Sequence, residues 1–182
     1  MIEIATIKSE EELNEILLLQ SVNIKKNISK EQAAKDGFVT LEHDLDLLQK
    51  LNYPFPHTIA KSNDKVVGYA LVMLKEMRSE IPELIPMFEQ IDRVVYKERP
   101  MKNAKYFIMG QICIQKEFRG QGIFQKLYKN LAKRLSVDFD FICTEIAARN
   151  LPSMKAHQKV GFIEIDRHSD NGEEWVVVAL EI

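Results

Sequence analysis

The segment from Tyr106 to Arg134 constrains the fold more than any other part of this 182-residue chain. An apolar run, Tyr106 to Ile114, has the length of a buried strand, and the loop after it ends in Arg119-Gly-Gln-Gly122. Apolar residues then recur every four positions from Ile123 to Leu135, which predicts an amphipathic helix. Such a strand, glycine loop and helix N-terminus suit phosphate binding, because first-turn N–H groups are unpaired and the helix dipole favours an anion.

Taken alone, this segment also fits a plain crossover in which the glycines serve only the turn. It has neither the Gly-Lys-Ser/Thr ending of a Walker loop nor the three-glycine spacing of a dinucleotide fingerprint. A second segment adds to it. Phe139 to Ile146 is another apolar strand, Pro152 suits a first helical turn, and Gly161 is placed to end that helix.

The two segments together resemble the GNAT superfamily, whose members transfer an acetyl group from acetyl-CoA. The family's pyrophosphate motif, Arg/Gln-x-x-Gly-x-Gly/Ala, reads Arg119-Gly-Gln-Gly122-Ile-Phe124 here. Its later signature, Asn-x-x-Ser/Ala-x-x-x-Tyr-x-Lys-x-Gly-Phe, corresponds to Asn150, Ser153, His157, Lys159, Gly161 and Phe162. The chain departs from the pattern twice. Phe124 replaces a small residue and either narrows the phosphate approach or faces the core, and His157 replaces the Tyr often assigned as the acid.

The resemblance implies an α/β fold: a mixed, mostly antiparallel sheet with a central splayed parallel strand pair, flanked by helices. We expect one domain over residues 1–182, with residues 75–105 inserted between strands and carrying a short helix after Pro82. This insertion either serves function or packs over a sheet edge. Local signals predict the other elements, which are helices after Ser9 and Ser29, a helix from Asp44 to Leu51, a hairpin across Ser62–Asp64 and a last hairpin at Asn171-Gly172.

Composition narrows the class of protein. The net charge is −2 and no basic tract appears, so we expect no nucleic-acid partner. The longest apolar run, Val66 to Leu74, is too short to span a bilayer, and the N-terminus lacks a secretory pattern. Cys113 and Cys143 both lie in apolar strands, where cysteine usually acts as a small hydrophobe. We expect a cytoplasmic protein without a membrane partner or a bound metal.

By resemblance, backbone groups at the end of the first parallel strand contact pantetheine, and the glycine loop holds the phosphates. The alternative for Asn150 and Ser153 is that they cap the Pro152 helix. The predicted cofactor-binding residues are Ile112, Cys113, Ile114, Arg119, Gly120, Gln121, Gly122, Ile123, Phe124, Gln125, Asn150 and Ser153.

Acetyl transfer to an amine needs a base, because an alkyl ammonium has a pKa of about 10.4. Glu145, at the end of the second parallel strand, is the first candidate, against the alternative of an ordinary solvated glutamate. His157 is the candidate acid for the leaving thiolate, against that of a half-buried histidine bonded to backbone. Gln111 could position substrate or a water.

The sequence therefore predicts an acetyl-CoA-dependent N-acetyltransferase in which a primary amine attacks the thioester directly. The acceptor is open between a small molecule and a protein amino group, and acidic residues beside the last hairpin (Asp166, Asp170, Glu173 and Glu174) could attract a cation. One alternative is a non-catalytic acyl-CoA-binding sensor of the same fold, and another is an enzyme that moves a longer acyl group. A homodimer is compatible with the insertion covering a partner chain.

Overall fold

The computed structural model describes residues 1–182 and is built around a seven-stranded sheet of order β1-β2-β3-β6-β7-β9-β8. Its strands are β1 (Glu3–Thr6), β2 (Thr58–Ser62), β3 (Lys65–Met73), β6 (Tyr106–Ile114), β7 (Phe141–Ala147), β8 (Ile163–Asp170) and β9 (Glu173–Glu181). A separate hairpin pairs β4 (Val95–Tyr96) with β5 (Arg99–Pro100). The helices are α1 (Glu10–Ser21), α2 (Lys30–Asp36), α3 (Leu45–Leu51), α4 (Ile85–Arg93), α5 (Ile123–Leu135) and α6 (Leu151–Val160). No helix has both the length and the apolar character needed to cross a bilayer.

The centre of the sheet is a parallel pair that separates. β6 and β7 are paired only from Tyr106 to Ile108, opposite Phe141 to Cys143. Beyond that point β6 carries an extra residue, Gly110, because Leu71 pairs with Gln111 while Val72 pairs with Met109. The predicted fold, mostly antiparallel with a splayed parallel pair, is therefore confirmed, and the C-terminal part of β6 has a backbone edge without a strand partner.

Helices cover both faces of the sheet. α5 lies on one face, where Leu127, Tyr128 and Leu131 are fully buried against the central strands. α1 and α3 lie on the other face beside α4, whose Phe88 and Ile91 are fully buried. The insertion thus packs over the face of β6, β7 and β9 rather than over a sheet edge.

Capping and turn residues in the sequence predicted most of the helices and hairpins. Ser9 and Ser29 cap α1 and α2 through their side-chain oxygens, as predicted, and Asp44, which was predicted to be the first residue of a helix, caps α3. Asn171 and Gly172, both at positive φ, form the two-residue turn between β8 and β9. The β4–β5 hairpin was not predicted, because its strands have two residues each and leave no periodic pattern.

Candidate active site

A cavity of about 730 Å³, here called the loop cavity, lies where β6 ends and α5 and α6 begin. The glycine loop forms one wall, with Gly120 at φ +76° and Gly122 at φ +74°. None of the backbone N–H groups from Gly120 to Gln125 is hydrogen-bonded within the chain, and no side chain caps α5. Consecutive free N–H groups beside a positive helix end suit a diphosphate.

Most of the predicted cofactor-binding residues line this cavity. The exceptions are Gln121, whose amide donates to Glu117 O at 3.1 Å, and Asn150, which lies deeper, in the gap between the splayed strands. The predicted residues at the cavity wall are Ile112, Cys113, Ile114, Arg119, Gly120, Gly122, Ile123, Phe124, Gln125 and Ser153.

Three polar side chains in and beside the predicted motifs hold a single piece of chain, residues 36–41, here called the crossing segment. Arg119 donates to Asp36 O at 3.4 Å, Asn150 to Phe38 O at 3.1 Å and Gln111 to Leu41 O at 2.8 Å. The crossing segment contributes to the walls of every cavity of the site.

The same three side chains have further partners that fix them in place. Arg119 also donates to Asn23 Oδ1 at 2.7 Å, and Gln111 accepts from Tyr69. Asn150 caps α6, since its Oδ1 accepts from Ser153 N–H at 3.4 Å. The predicted capping role of Asn150 is therefore present, and the amide of Gln111 is engaged by protein groups instead of facing a substrate.

The two departures from the family motif pack against each other. The Phe124 ring meets the His157 ring edge to face, with centroids 5.0 Å apart, and Tyr128 and Phe162 complete the cluster. Phe124 thus turns largely toward the core between α5 and α6 while it still borders the loop cavity.

His157 is buried in this cluster with both ring nitrogens engaged. Nδ1 lies 2.8 Å from Ser153 O, and a carbonyl only accepts, so Nδ1 carries the hydrogen. Nε2 then accepts from the Tyr128 hydroxyl at 2.7 Å. Burial lowers the pKa of His157 to about 4, so the ring is neutral near pH 7 and its one proton is held by backbone.

A second cavity, of about 230 Å³ and here called the carboxylate cavity, lies on the other side of the splayed strands. A gap of about 80 Å³ between β6 and β7 separates it from the loop cavity. Met87 of α4 and Met109 and Trp175 of the sheet give it an apolar lining, while Glu145, Asp170 and Glu83 give it carboxylates. The predicted base and the predicted cofactor loop therefore border neighbouring cavities, each of which shares wall residues with the gap between them.

Glu145 is a poorly solvated carboxylate that borders both the gap and the carboxylate cavity. Burial, with smaller effects of Asp170 and Asp166, raises its pKa to about 7. Its Oε1 lies 3.1 Å from His168 Nε2, without the alignment of a hydrogen bond, and is otherwise buried without a partner. A carboxylate that changes protonation near neutral pH can accept a proton from a substrate.

Sequence reasoning missed His168 as a neighbour of Glu145. β9 lies between their strands, and a bulge in β8 skips Ile165 so that Asp166 faces Val177, as Glu145 does. His168, two residues on, comes to the same face of the sheet. The bulge leaves no mark in the sequence, so only the register shows this contact.

No group of three or more His, Cys, Asp or Glu side chains is arranged to hold a metal ion. Cys113 and Cys143 are free thiols, and burial raises their pKa values to about 11 and about 12. At neutral pH both thiols are therefore protonated and act as apolar side chains.

A splayed parallel pair, a free N–H loop and a carboxylate across the gap define a protein of the acetyl-CoA-dependent acyltransferase type. The family model described as Acetyltransferase (GNAT) family matches residues 26–162. The chain belongs to this family, and that membership indicates acyl transfer from acetyl-CoA. Comparison with curated proteins finds no match.

Solved structures share the fold at low sequence identity. The ribosomal-protein-S18-alanine N-acetyltransferase from Escherichia coli superposes with TM-score 0.63 at 12% identity, covering 100% of this chain and 94% of the other. The NatC complex bound to Gag peptide and CoA gives 0.67 at 16%, with 100% and 98% covered. An N-acetyltransferase from Staphylococcus aureus gives 0.62 at 18%, with 100% and 98% covered. These likenesses establish the fold alone.

Proposed function

We propose that this protein transfers an acetyl group from acetyl-CoA to a primary amine, with Glu145 as the general base. The observation that carries the proposal is the row of unpaired N–H groups at residues 120–125, on the wall of a cavity that adjoins, through the gap between β6 and β7, the cavity lined by Glu145. In this arrangement the diphosphate binds at the loop, and the pantetheine arm follows the unpaired edge of β6 into the gap.

The acceptor amine enters from the carboxylate cavity as an ammonium ion. Glu145 takes one proton from it, and the free nitrogen attacks the thioester carbonyl. The nitrogen gives its second proton to solvent as the carbon–sulfur bond breaks, and CoA leaves as a thiolate that takes a proton from solvent. His157 has no role as the acid in this scheme, because its proton is bonded to Ser153 O and its other nitrogen to Tyr128.

A cationic acceptor fits the charge of the cavity. Asp170 and Glu83 make no ion pair, whereas Glu173 is neutralised by Arg149 and lies near Lys25. The cavity's volume, about 230 Å³, favours a compact amine or the terminal residues of a chain.

Calorimetric titration with acetyl-CoA tests the cofactor-binding part of the proposal. We expect the wild type to bind and Gly122→Trp to lose binding, because the new side chain fills the space beside the loop. Gly172→Trp is the matched control: Gly172 also has positive φ (+78°) and open space around it, but lies in the β8–β9 turn. No binding by the wild type at millimolar acetyl-CoA would contradict the proposal.

An assay of thiol release with a panel of amines tests the acetyl-transfer part of the proposal. We expect acceptor-dependent release with small cationic amines and little release with anionic amines of the same size. Binding of acetyl-CoA without release for any amine or amino-terminal peptide would favour the non-catalytic sensor.

A further inference from the structure

We infer that the Thr144 side chain limits the transferred group to acetyl, because it closes the gap between β6 and β7 at the end that the thioester would reach. This inference rests on the proposed function, since it names the acyl group that the proposed site accepts. Thr144 lies between the two sequence motifs and belongs to neither of them.

The gap between β6 and β7 is closed at one end by a side-chain hydrogen bond. The last backbone pair of the two strands joins Ile108 to Cys143, and Thr144 is the next residue of β7. Its hydroxyl donates to Met109 O, across the strands, at 3.1 Å. Thr144 is 8% exposed, and it borders both the gap and the carboxylate cavity. The Thr144 side chain therefore forms the closed end of the gap, just beyond the paired backbone.

The unpaired edge of β6 leads from the glycine loop to this closed end. Ile114 borders the loop cavity, Ile112 borders the loop cavity and the gap, and Met109 borders the gap and the carboxylate cavity. A pantetheine arm that starts at the glycine loop and follows β6 passes these residues in that order. Its thioester comes last, so the acyl group points at the bond between Thr144 and Met109.

Neighbouring strands hold both partners of this bond in place. On the β6 side Met109 pairs with Val72 of β3, and on the β7 side Thr144 pairs with Val178 of β9. Met109 and both valines are buried in the core cluster beneath α5. A close-packed core yields little to an added methylene, so a longer acyl chain gains room only if the side chain at position 144 is made smaller.

The carboxylate cavity gives a longer acyl chain no favourable alternative. An alkyl chain turned into this cavity would lie beside Glu145 and cover a carboxylate that it cannot hydrogen-bond, which costs free energy. It would also fill the space from which the acceptor amine attacks. The closure at Thr144 should therefore weaken both the binding and the turnover of acyl-CoA donors longer than acetyl-CoA.

The donor selectivity of Thr144 variants tests the inference. Thr144→Ala removes the hydroxyl and the methyl group, whereas Thr144→Val has nearly the same volume and loses only the hydroxyl. With an amine that the wild type acetylates, we expect the wild type and Thr144→Val to prefer acetyl-CoA over propionyl-CoA by about 10–200-fold in kcat/KM, the range for one methylene. Thr144→Ala should lower this preference about tenfold. An unchanged preference in Thr144→Ala, or an equal loss of preference in Thr144→Val, would overturn the inference.

Calorimetric titration without an acceptor gives a second readout, which needs no turnover. Free CoA should bind the wild type and Thr144→Ala equally, because it has no acyl group to meet Thr144. Propionyl-CoA should bind the wild type about tenfold more weakly than acetyl-CoA does, and the two donors should bind Thr144→Ala nearly equally. A wild type that binds both donors alike would overturn the inference. Acyl-dependent binding in a chain that releases no thiol with any amine would support it and place the failure in the proposed transfer.

Discussion

At the scale of single residues, the two departures from the family motif explain each other. Taken separately, Phe124 would narrow the approach of a phosphate, and His157 would replace the family's tyrosine as the acid. Their rings are in contact in one aromatic cluster, and His157 bridges α5 to α6 by accepting from Tyr128 and donating to Ser153 O. A sequence motif gives the preferred residue at each position separately, so the contact between Phe124 and His157 could not be predicted from it.

The bond between Tyr128 and His157 predicts non-additive stability. His157→Phe leaves the buried Tyr128 hydroxyl without a partner, which should cost about 1–3 kcal/mol of unfolding free energy. The double variant Tyr128→Phe/His157→Phe removes both polar groups and should recover most of that loss. Urea unfolding of both single variants and the double variant measures the cycle. Additive losses would contradict a bond between these two residues.

The role of His157 in turnover is tested with the same variant. We expect folded His157→Phe to retain kcat within a few-fold, because the ring has no proton to give to the thiolate. The measurement is thiol release at saturating acetyl-CoA. A hundredfold loss of kcat with unchanged acetyl-CoA affinity would restore His157 as the acid.

Glu145 makes activity depend on pH in a defined direction. Its pKa is raised to about 7, chiefly by burial, and only the carboxylate can accept the amine proton. We expect kcat/KM to rise with pH through about 7, and Glu145→Gln to lose roughly 10²–10⁴-fold in kcat with acetyl-CoA binding unchanged. Glu164→Gln, an exposed carboxylate on β8 paired with Arg167, is the control. A pH profile that keeps its acidic limb in Glu145→Gln would assign the base elsewhere.

At the scale of elements, the crossing segment connects parts of the chain that are distant in sequence. Arg119, Gln111 and Asn150 reach it over 83, 70 and 112 residues. The strand–loop–helix unit of β6 and α5 could be predicted because its signals lie next to one another. The tethers could not, because nothing near residues 36–41 marks the side chains that reach them. Two motif residues predicted to contact the cofactor, Arg119 and Asn150, also hold the wall of the cavity.

Asn150 allows the tether and the helix cap to be separated. Asn150→Asp keeps the oxygen that caps α6 and loses the N–H that binds Phe38 O, whereas Asn150→Ala loses both. We expect Asn150→Ala to lower the unfolding free energy by about 1–2 kcal/mol, and Asn150→Asp to lower it less. Hydrogen exchange should speed up at residues 36–41 in both variants. Protection of that segment equal to the wild type would show that the Asn150 tether does not hold it.

At the scale of the whole molecule, three buried histidines predict sensitivity to acid. Burial lowers the pKa of His43 to about 4, of His57 to about 3 and of His157 to about 4. The unfolded chain titrates these groups near pH 6.5 and so binds more protons below that pH. Their contribution to stability is therefore complete above pH 6.5 and is lost as the pH falls toward 4.

The titration of Glu145 opposes this loss of stability, and the net change in unfolding free energy is the difference between the two effects. The raised pKa of Glu145 means that the folded state binds its proton first between about pH 7 and 4.5, which adds stability as the pH falls. At 1.36 kcal/mol per pH unit, three histidines lose about 6 kcal/mol between pH 8 and 5, and Glu145 returns about 3 kcal/mol. We expect urea unfolding to give a net loss of about 3 kcal/mol over that range.

One histidine variant and one apolar variant separate the titration from general weakening of the core. His43→Gln should flatten the pH dependence by about 2 kcal/mol at pH 5, because it removes one of the three groups. Ile91→Ala, at a fully buried apolar position on α4, should lower stability equally at every pH. Parallel curves for His43→Gln and the wild type would contradict the linkage.

Glu145 begins to take up protons near pH 7, whereas the histidines of the unfolded chain do so only below about pH 6.5. On acidification, activity should therefore fall before the folded state loses stability, and it should return in full when the pH is raised.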